Sequence, residues 1–268
     1  EINNNRLTNM NKSQSEYPIL YKYLDIDGAK KMLSNSNLQY TNATKFNDPF
    51  DSHPSLIDFS KVPLEMCKAW PPNIIEEVES NRYIRYRENT WICCLSKVFD
   101  SLLMWSYYNS HKGVCIGLNM EKVAKYLNTS HGLMVTKYGI EVQYRDIIDK
   151  PDYFRGEADF FYQICTKGKD WEHEQEIRLF ISKPFPMCMA LPYKPKDENE
   201  IIDWKDMRAY PKIGRECFEF VYLGVNIDKK EKDEIIQIAK EVNPDIKINQ
   251  MEINSNAFRL DVNPEYYE

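Results

Sequence analysis

The stretch DWEHEQEIRLF, residues 170–180, sets four acidic side chains and an arginine into eleven positions before turning apolar. Read as a strand, it points Ile177, Leu179 and Ile181 into a core and Glu174, Glu176 and Arg178 to the opposite face, because side chains alternate across a pleated backbone. Same-face neighbours then lie about 6.5–7 Å apart at their Cα atoms. Two carboxylates at that spacing can hold one ribose or flank a reaction centre. Glu176 is the better placed of the two, since Glu174 and Arg178 bracket it. The plainer alternative is an edge strand whose charges discourage pairing with another sheet.

Other residues offer polar or flat partners. Trp171, three residues before Glu174, can stack on a ring or anchor the corner between helix and strand. In YPILYKYL, Tyr21 and Tyr23 flank Lys22, which borders a cleft or stands in solvent. FNDPFD supplies Asn47, Asp48 and Asp51, oxygen-bearing groups of the kind that hold a divalent cation. The favoured expectation is an Asn-Asp-Pro turn with side-chain-to-backbone hydrogen bonds, lining a cleft rim. MWSYYNSHKG places Tyr107, Tyr108, His111 and Lys112 near a helix end, where the Lys and His complement the carbonyl dipole. The GVCIG run lacks both GxGxxG and a P-loop lysine, which argues against a Rossmann or Walker site.

These residues need a scaffold. Strands are expected near 19–24, 91–96, 113–118, 140–144, 174–182, 218–224 and 246–252, with LQYT as a further short one. Helices are expected over DIDGAKKMLSNSN, SLLMWSYYNSH, residues 152–169 and DKKEKDEIIQIAKEVN, with Asp25 or Asp27 and then Asp228 near their starts. Strands and helices mix irregularly, which predicts an α+β fold. Residues 1–16, rich in Asn and Ser, form a flexible segment, and 17–268 a single domain. A helical insertion near 59–90 and a long loop near 184–214, with a short helix near 203–209, are expected outside the central sheet.

Composition narrows the function classes. A net charge of −6 and a pI of 5.5 disfavour a non-specific grip on nucleic acid. No apolar run approaches the ~20 residues of a membrane-spanning helix. Seven cysteines without a CxxC pair predict reduced thiols and a cytoplasmic protein. Four scattered histidines without HExxH give no expectation of a metal.

Five pieces in order, LYKYL (20–24), FNDPFD (46–51), SLLMWSYYNSHKGVCIGLN (101–119), KGKDWEHEQEIRLF (167–180) and VYLGVNI (221–227), resemble a bacterial family of uncharacterised function. More distantly, an opening strand with a polar residue between aromatics, a following helix and a late Glu-x-Glu strand are similar to the ADP-ribosyltransferase superfamily. That resemblance implies a mixed, split central sheet holding NAD, as substrate, between its two parts. By order, Lys22 would touch the nicotinamide-side ribose, Ser96 or Tyr107 would support the dinucleotide, and Glu176 would promote glycosidic cleavage. Lys22 replaces the usual His or Arg, and Tyr107 falls on a predicted helix. Cleavage develops a ribosyl cation, which a fixed carboxylate stabilises where water is excluded.

The expected catalytic residues are thus Glu176, Glu174 and Arg178. Lys22, Tyr23, Asn47 and Asp48 are expected to converge on them with Ser96, Tyr107 and Trp171, binding a dinucleotide for transfer to an unknown acceptor. A toxin or phage-defence effector fits that reading. A metal-dependent nuclease is a second one, because Asp48 or Asp51 with Glu176-x-Arg178 is similar to a D…ExK arrangement, although Arg substitutes poorly for Lys. A non-catalytic module binding a ligand or protein is the third.

Overall fold

Branched and aromatic residues following Pro18 make Ile19–Leu24 a strand, β1, and Asp25 caps the helix that follows by accepting the Gly28 amide at 2.7 Å. That helix is α1 (Ile26–Asn35), and β2 (Tyr40–Asn42) comes next. The computed structural model describes residues 18–79, 86–108, 110–128, 133–182, 202–203 and 205–263. The segment 1–16 and much of 184–214 lie outside the described residues. Helices α2 (Leu64–Ala69) and α3 (Pro72–Glu79) precede β3 (Thr90–Ser96), α4 (Leu102–Tyr107) and β4 (Val114–Asn119). Short pieces follow: α5 (Met120–Val123), β5 (Met134–Val135), β6 (Ile140–Glu141), β7 (Gln143–Arg145), α6 (Phe160–Ile164) and β8 (Thr166–Gly168). A 3-10 segment, Lys169–Glu174, leads into β9 (Glu176–Ser182). The chain continues with β10 (Ile202–Asp203), β11 (Arg208–Ala209), β12 (Phe218–Leu223), α7 (Lys229–Val242), β13 (Lys247–Ile253) and β14 (Leu260–Asn263).

The fold is α+β. Its main sheet runs β10-β11-β2-β3-β1-β4-β12-β13-β14, with β9 also on β3 and with β5 and β6 on β9; β7 and β8 pair separately. Along its whole length β3 is antiparallel to β9, from Thr90 opposite Ser182 to Ser96 opposite Glu176. The other edge of β3 is shared. There β2 takes Trp91 and Ile92, and β1 takes Ser96 through the pair Tyr21↔Ser96. Among the described residues no strand pairs with Cys93–Leu95 on that edge, so the sheet parts between β1 and β2.

One face of the sheet is closed by α1 and α7, whose Leu33, Ile235 and Ala239 pack with Leu20, Ile116, Leu179 and Val221. The opposite face carries two separate clusters. Phe59, Ile92, Ile164 and Phe180 cover the β3–β9 half, and Tyr23, Trp105, Cys115 and Tyr222 cover the β1–β4–β12 half. Burying each large apolar side chain contributes about 1.5–3 kcal/mol. Glu176 and Arg178 sit on this second face, where the two clusters meet.

Several expectations are corrected. Strand β9 starts at Glu176 and not at 174, because Gln175 adopts a left-handed conformation (φ 44°, ψ 53°) that ends the 3-10 segment. Nor is β9 an edge strand, since β3 lies on one side and β5 and β6 on the other. The region 184–214 does enter the sheet: Arg208 pairs with Thr41 and Ala209 with Tyr40. In place of a helix near 203–209, Asp203 Oδ1 accepts the amides of Lys205 and Asp206 and turns β10 into β11. The helix expected over 152–169 is confined to α6, because Gly156 turns with φ 71° and Thr166–Gly168 leave to pair with β7.

Gly224 marks a close backbone crossing: its amide bonds to the Gly113 carbonyl at 3.0 Å. A Cβ there would meet the His111 carbonyl oxygen at 2.2 Å. Gly224→Ala is therefore expected to destabilise by about 1–3 kcal/mol, as overpacked sites do, and a lower midpoint in urea would record it.

Candidate functional site

Arg178 is 0 % exposed, so each N–H it carries needs a partner inside the protein. A guanidinium has five. Nε donates to Glu176 Oε1 at 2.9 Å and Nη2 to Glu176 Oε2 at 3.0 Å. Nη1 and Nη2 reach the two oxygens of Asp51 at 2.8 and 2.6 Å, and Nη1 also reaches the Ile164 carbonyl at 2.5 Å. The arginine is saturated by the fold. This decides the opening alternatives: Glu176 and Arg178 form neither a solvated strand edge nor an open pair, but a buried network tying β9 to the FNDPFD turn and α6.

Lys167 joins the network from β8. Its Nζ lies 3.4 Å from Glu176 Oε2 and 3.9 Å from Asp51 Oδ2, and it bonds Glu174 Oε2 directly. It also sits 4.7 Å from the centre of the Trp171 ring. Burial pushes its pKa down, but Glu176 and Glu174 outweigh that and hold it above the ordinary lysine value. Glu176 is pushed up by burial, yet Arg178 and Lys167 bring it down to about 2. Glu174 moves the other way: burial lifts it, with Glu176 adding and Lys167 opposing. The left-handed Gln175 between them turns both carboxylates onto one ammonium, where a regular strand would have kept them parallel.

At the parting of the sheet, half-buried Lys22 donates from Nζ to the Cys94 carbonyl at 2.8 Å, replacing the absent ladder bond. Two of its N–H groups remain. Tyr108 stacks on Tyr23 with ring centres 6.0 Å apart, and its hydroxyl makes no hydrogen bond among the described residues. Burial pushes the Tyr108 hydroxyl up; Lys22 opposes that while Cys94, Glu174 and Glu176 add to it, which places these groups within one another's field. Lys22, Cys94, Tyr108, Glu174 and Trp171 are all only partly buried, so solvent reaches the parting above the buried network.

The remaining sequence candidates take other places. Tyr107, 54 % exposed, packs edge-on against His173, and His173 stacks with Trp171 at 6.3 Å. The three rings make an aromatic rim. Tyr23 is buried on the β1 half, donating its hydroxyl to the Val98 carbonyl and accepting the Ser101 amide, so it supports Tyr108. Ser96 is buried as well; its Oγ donates to the Glu174 carbonyl at 2.7 Å and accepts the Val98 amide. Asp48 accepts the Phe50 amide in a turn, and Asn47 is exposed. Asp51, by contrast, belongs to the centre of the network.

Sequence reasoning gave Tyr108 a helix end but no site role, and passed over Lys167, Cys94 and Tyr144, whose hydroxyl accepts the Glu176 amide at 2.9 Å. One signal was available for Lys167: three carboxylates around a single arginine require a second cation. Among the described residues no helix is long and apolar enough to cross a membrane.

A family model described as a protein of unknown function (DUF2971) matches residues 104–179. The matched stretch runs from α4 into β9 and contains Tyr108, Lys167, Glu174, Glu176 and Arg178, so the chain resembles an uncharacterised family over the part that builds the network. No curated protein and no solved structure matches the chain.

Proposed function

We propose that the chain is an NAD-consuming enzyme of the ADP-ribosyltransferase kind, working at the parting of the sheet. One observation carries the reading: where β1 leaves β3, Lys22, Tyr108 and Glu174 keep unused hydrogen-bonding capacity beside buried carboxylates and an aromatic rim. A cluster of that kind, with polar groups between the half-sheets and flat rings beside them, suits a nucleotide. Lys22 holds a ribose hydroxyl or the amide of nicotinamide, and the rim of Trp171, His173 and Tyr107 stacks on a ring. In the reaction the C1′–N bond breaks and its electron pair passes to nicotinamide. The resulting ribosyl cation is stabilised by nearby negative charge and captured by a lone pair of the acceptor or water, whose proton is then lost.

A non-catalytic ligand-binding module is the second reading. It is favoured by Arg178 and Asp51, which spend their polar atoms on the fold and leave none for a substrate. Of the two aspartates offered to a metal-dependent nuclease, Asp51 is committed to Arg178, and Asp48 accepts the Phe50 amide in its turn.

The test is nicotinamide release from NAD, with NAD affinity measured by calorimetry. Lys22→Met is expected to weaken binding by about 10- to 100-fold, the equivalent of one charge-assisted hydrogen bond. Wild-type protein that neither binds NAD nor releases nicotinamide would sink the enzyme reading and put the module first.

A further inference from the structure

We propose that Glu174 is the carboxylate that meets the ligand, that Lys167 is the positioning residue that holds it there, and that Glu176 is committed to the fold. The inference rests on the ligand site proposed above and reverses the order suggested by the sequence. The side chain of Glu176 is 3 % exposed and that of Glu174 is 16 % exposed. Glu176 has both oxygens bonded to Arg178, whereas Glu174 is held through Oε2 alone and keeps Oε1 without a bond among the described residues.

The surroundings fix Glu174 at the mouth. Ser96 Oγ pins its carbonyl, and Gln175 turns its side chain toward Lys167. Lys167 faces Asp51, Glu174 and Glu176, with Arg178 across the network, and its remaining side is covered by the Trp171 ring. Its ammonium therefore links the buried network to the rim: Glu174 cannot move without breaking an ion pair, yet one oxygen stays open. A carboxylate so held can accept a ribose hydroxyl, or take the acceptor's proton as a bond to C1′ forms.

The experiment labels carboxyl groups of the native protein with a carbodiimide and an amine and locates them by mass spectrometry, with ADP-ribose as the probe ligand. Glu174 is expected to be labelled, Glu176 to be spared, and ADP-ribose to protect Glu174. Lys167→Met is expected to raise Glu174 labelling several-fold and abolish the protection, while Lys167→Arg preserves it. In parallel, Glu174→Gln is expected to lower nicotinamide release on the order of 10²-fold with a smaller shift in Tm than Glu176→Gln, which is expected to lower Tm.

Labelling at Glu176 with Glu174 spared overturns the proposal, as does Glu174 labelling that ignores the loss of Lys167. If that labelling pattern holds but NAD is not consumed and ADP-ribose gives no protection, the NAD reading falls and the Lys167–Glu174 unit stands. If NAD is consumed at full rate by Glu174→Gln and lost in a Glu176→Gln variant of normal Tm, the unit falls and the NAD reading stands.

Discussion

Replacing Arg178 by methionine is expected to leave little folded protein. The substitution keeps an unbranched apolar stem but removes the guanidinium that bonds both oxygens of Asp51 and of Glu176. Among the described residues, that leaves Lys167 as the one cation in ion-pair contact with these buried carboxylates. It also strips the Ile164 carbonyl of its partner. Breaking a buried ion pair from one side costs about 3–5 kcal/mol, against a total stability of about 5–15 kcal/mol for a typical domain. Arg178→Lys should fail too, though less severely, because an ammonium, with its three donors on one atom, cannot make the paired bonds that the guanidinium makes to each carboxylate. Urea unfolding is the measurement. The triple variant Asp51→Leu, Glu176→Leu, Arg178→Met should recover much of the loss, since the buried charge it leaves, Lys167, keeps its pair with Glu174. An Arg178→Met protein with the wild-type midpoint would show that the network holds nothing together.

Acid should dismantle the same network, and the sign follows from Glu176. Burial raises its carboxyl, but Arg178 and Lys167 bring it down to about 2, below its ordinary 4.5. A depressed carboxyl contributes stability that is complete above its unfolded value and is lost as the pH falls through the folded one. The loss between pH 4.5 and 2 amounts to about 3 kcal/mol from this group. Glu174 works against it: its pKa is raised, so its contribution is present below the unfolded value and is lost as the pH rises through the folded value. Urea midpoints through the acid range should therefore fall more steeply for wild type than for Glu176→Gln. Equal slopes would mean that Glu176 is not held ionised by its neighbours.

Much of the scaffold was legible because local rules agreed with tertiary ones. Asp25 and Asp228 cap helices as their types predict, and β1 and β12 follow their apolar runs closely. What stayed hidden depends on contacts distant in sequence. Alternation alone assigned Glu174 to β9, since nothing in a glutamine announces the left-handed backbone that Gln175 adopts. Asp51 read as a turn residue because its partner, Arg178, lies 127 positions away. The aspartate does end the Asn-Asp-Pro turn, and it also anchors the network. Short β10 and β11 are too brief for a periodic pattern, and they extend the open edge of the sheet, β11 pairing with β2 and β10 with β11.

The parting at Cys93–Leu95 bears on how the molecule opens. Across it, Tyr21↔Ser96 is the backbone pair joining β1 to β3, and the Lys22 side chain spans the gap beside it. Few backbone hydrogen bonds join the two half-sheets there, while one continuous apolar cluster under α1 and α7 holds them together on the far face. Such a seam is where the ladder opens most readily by local fluctuation. A molecule seated between the half-sheets would act as a cross-strut, and its binding energy would be felt as resistance to opening along the seam.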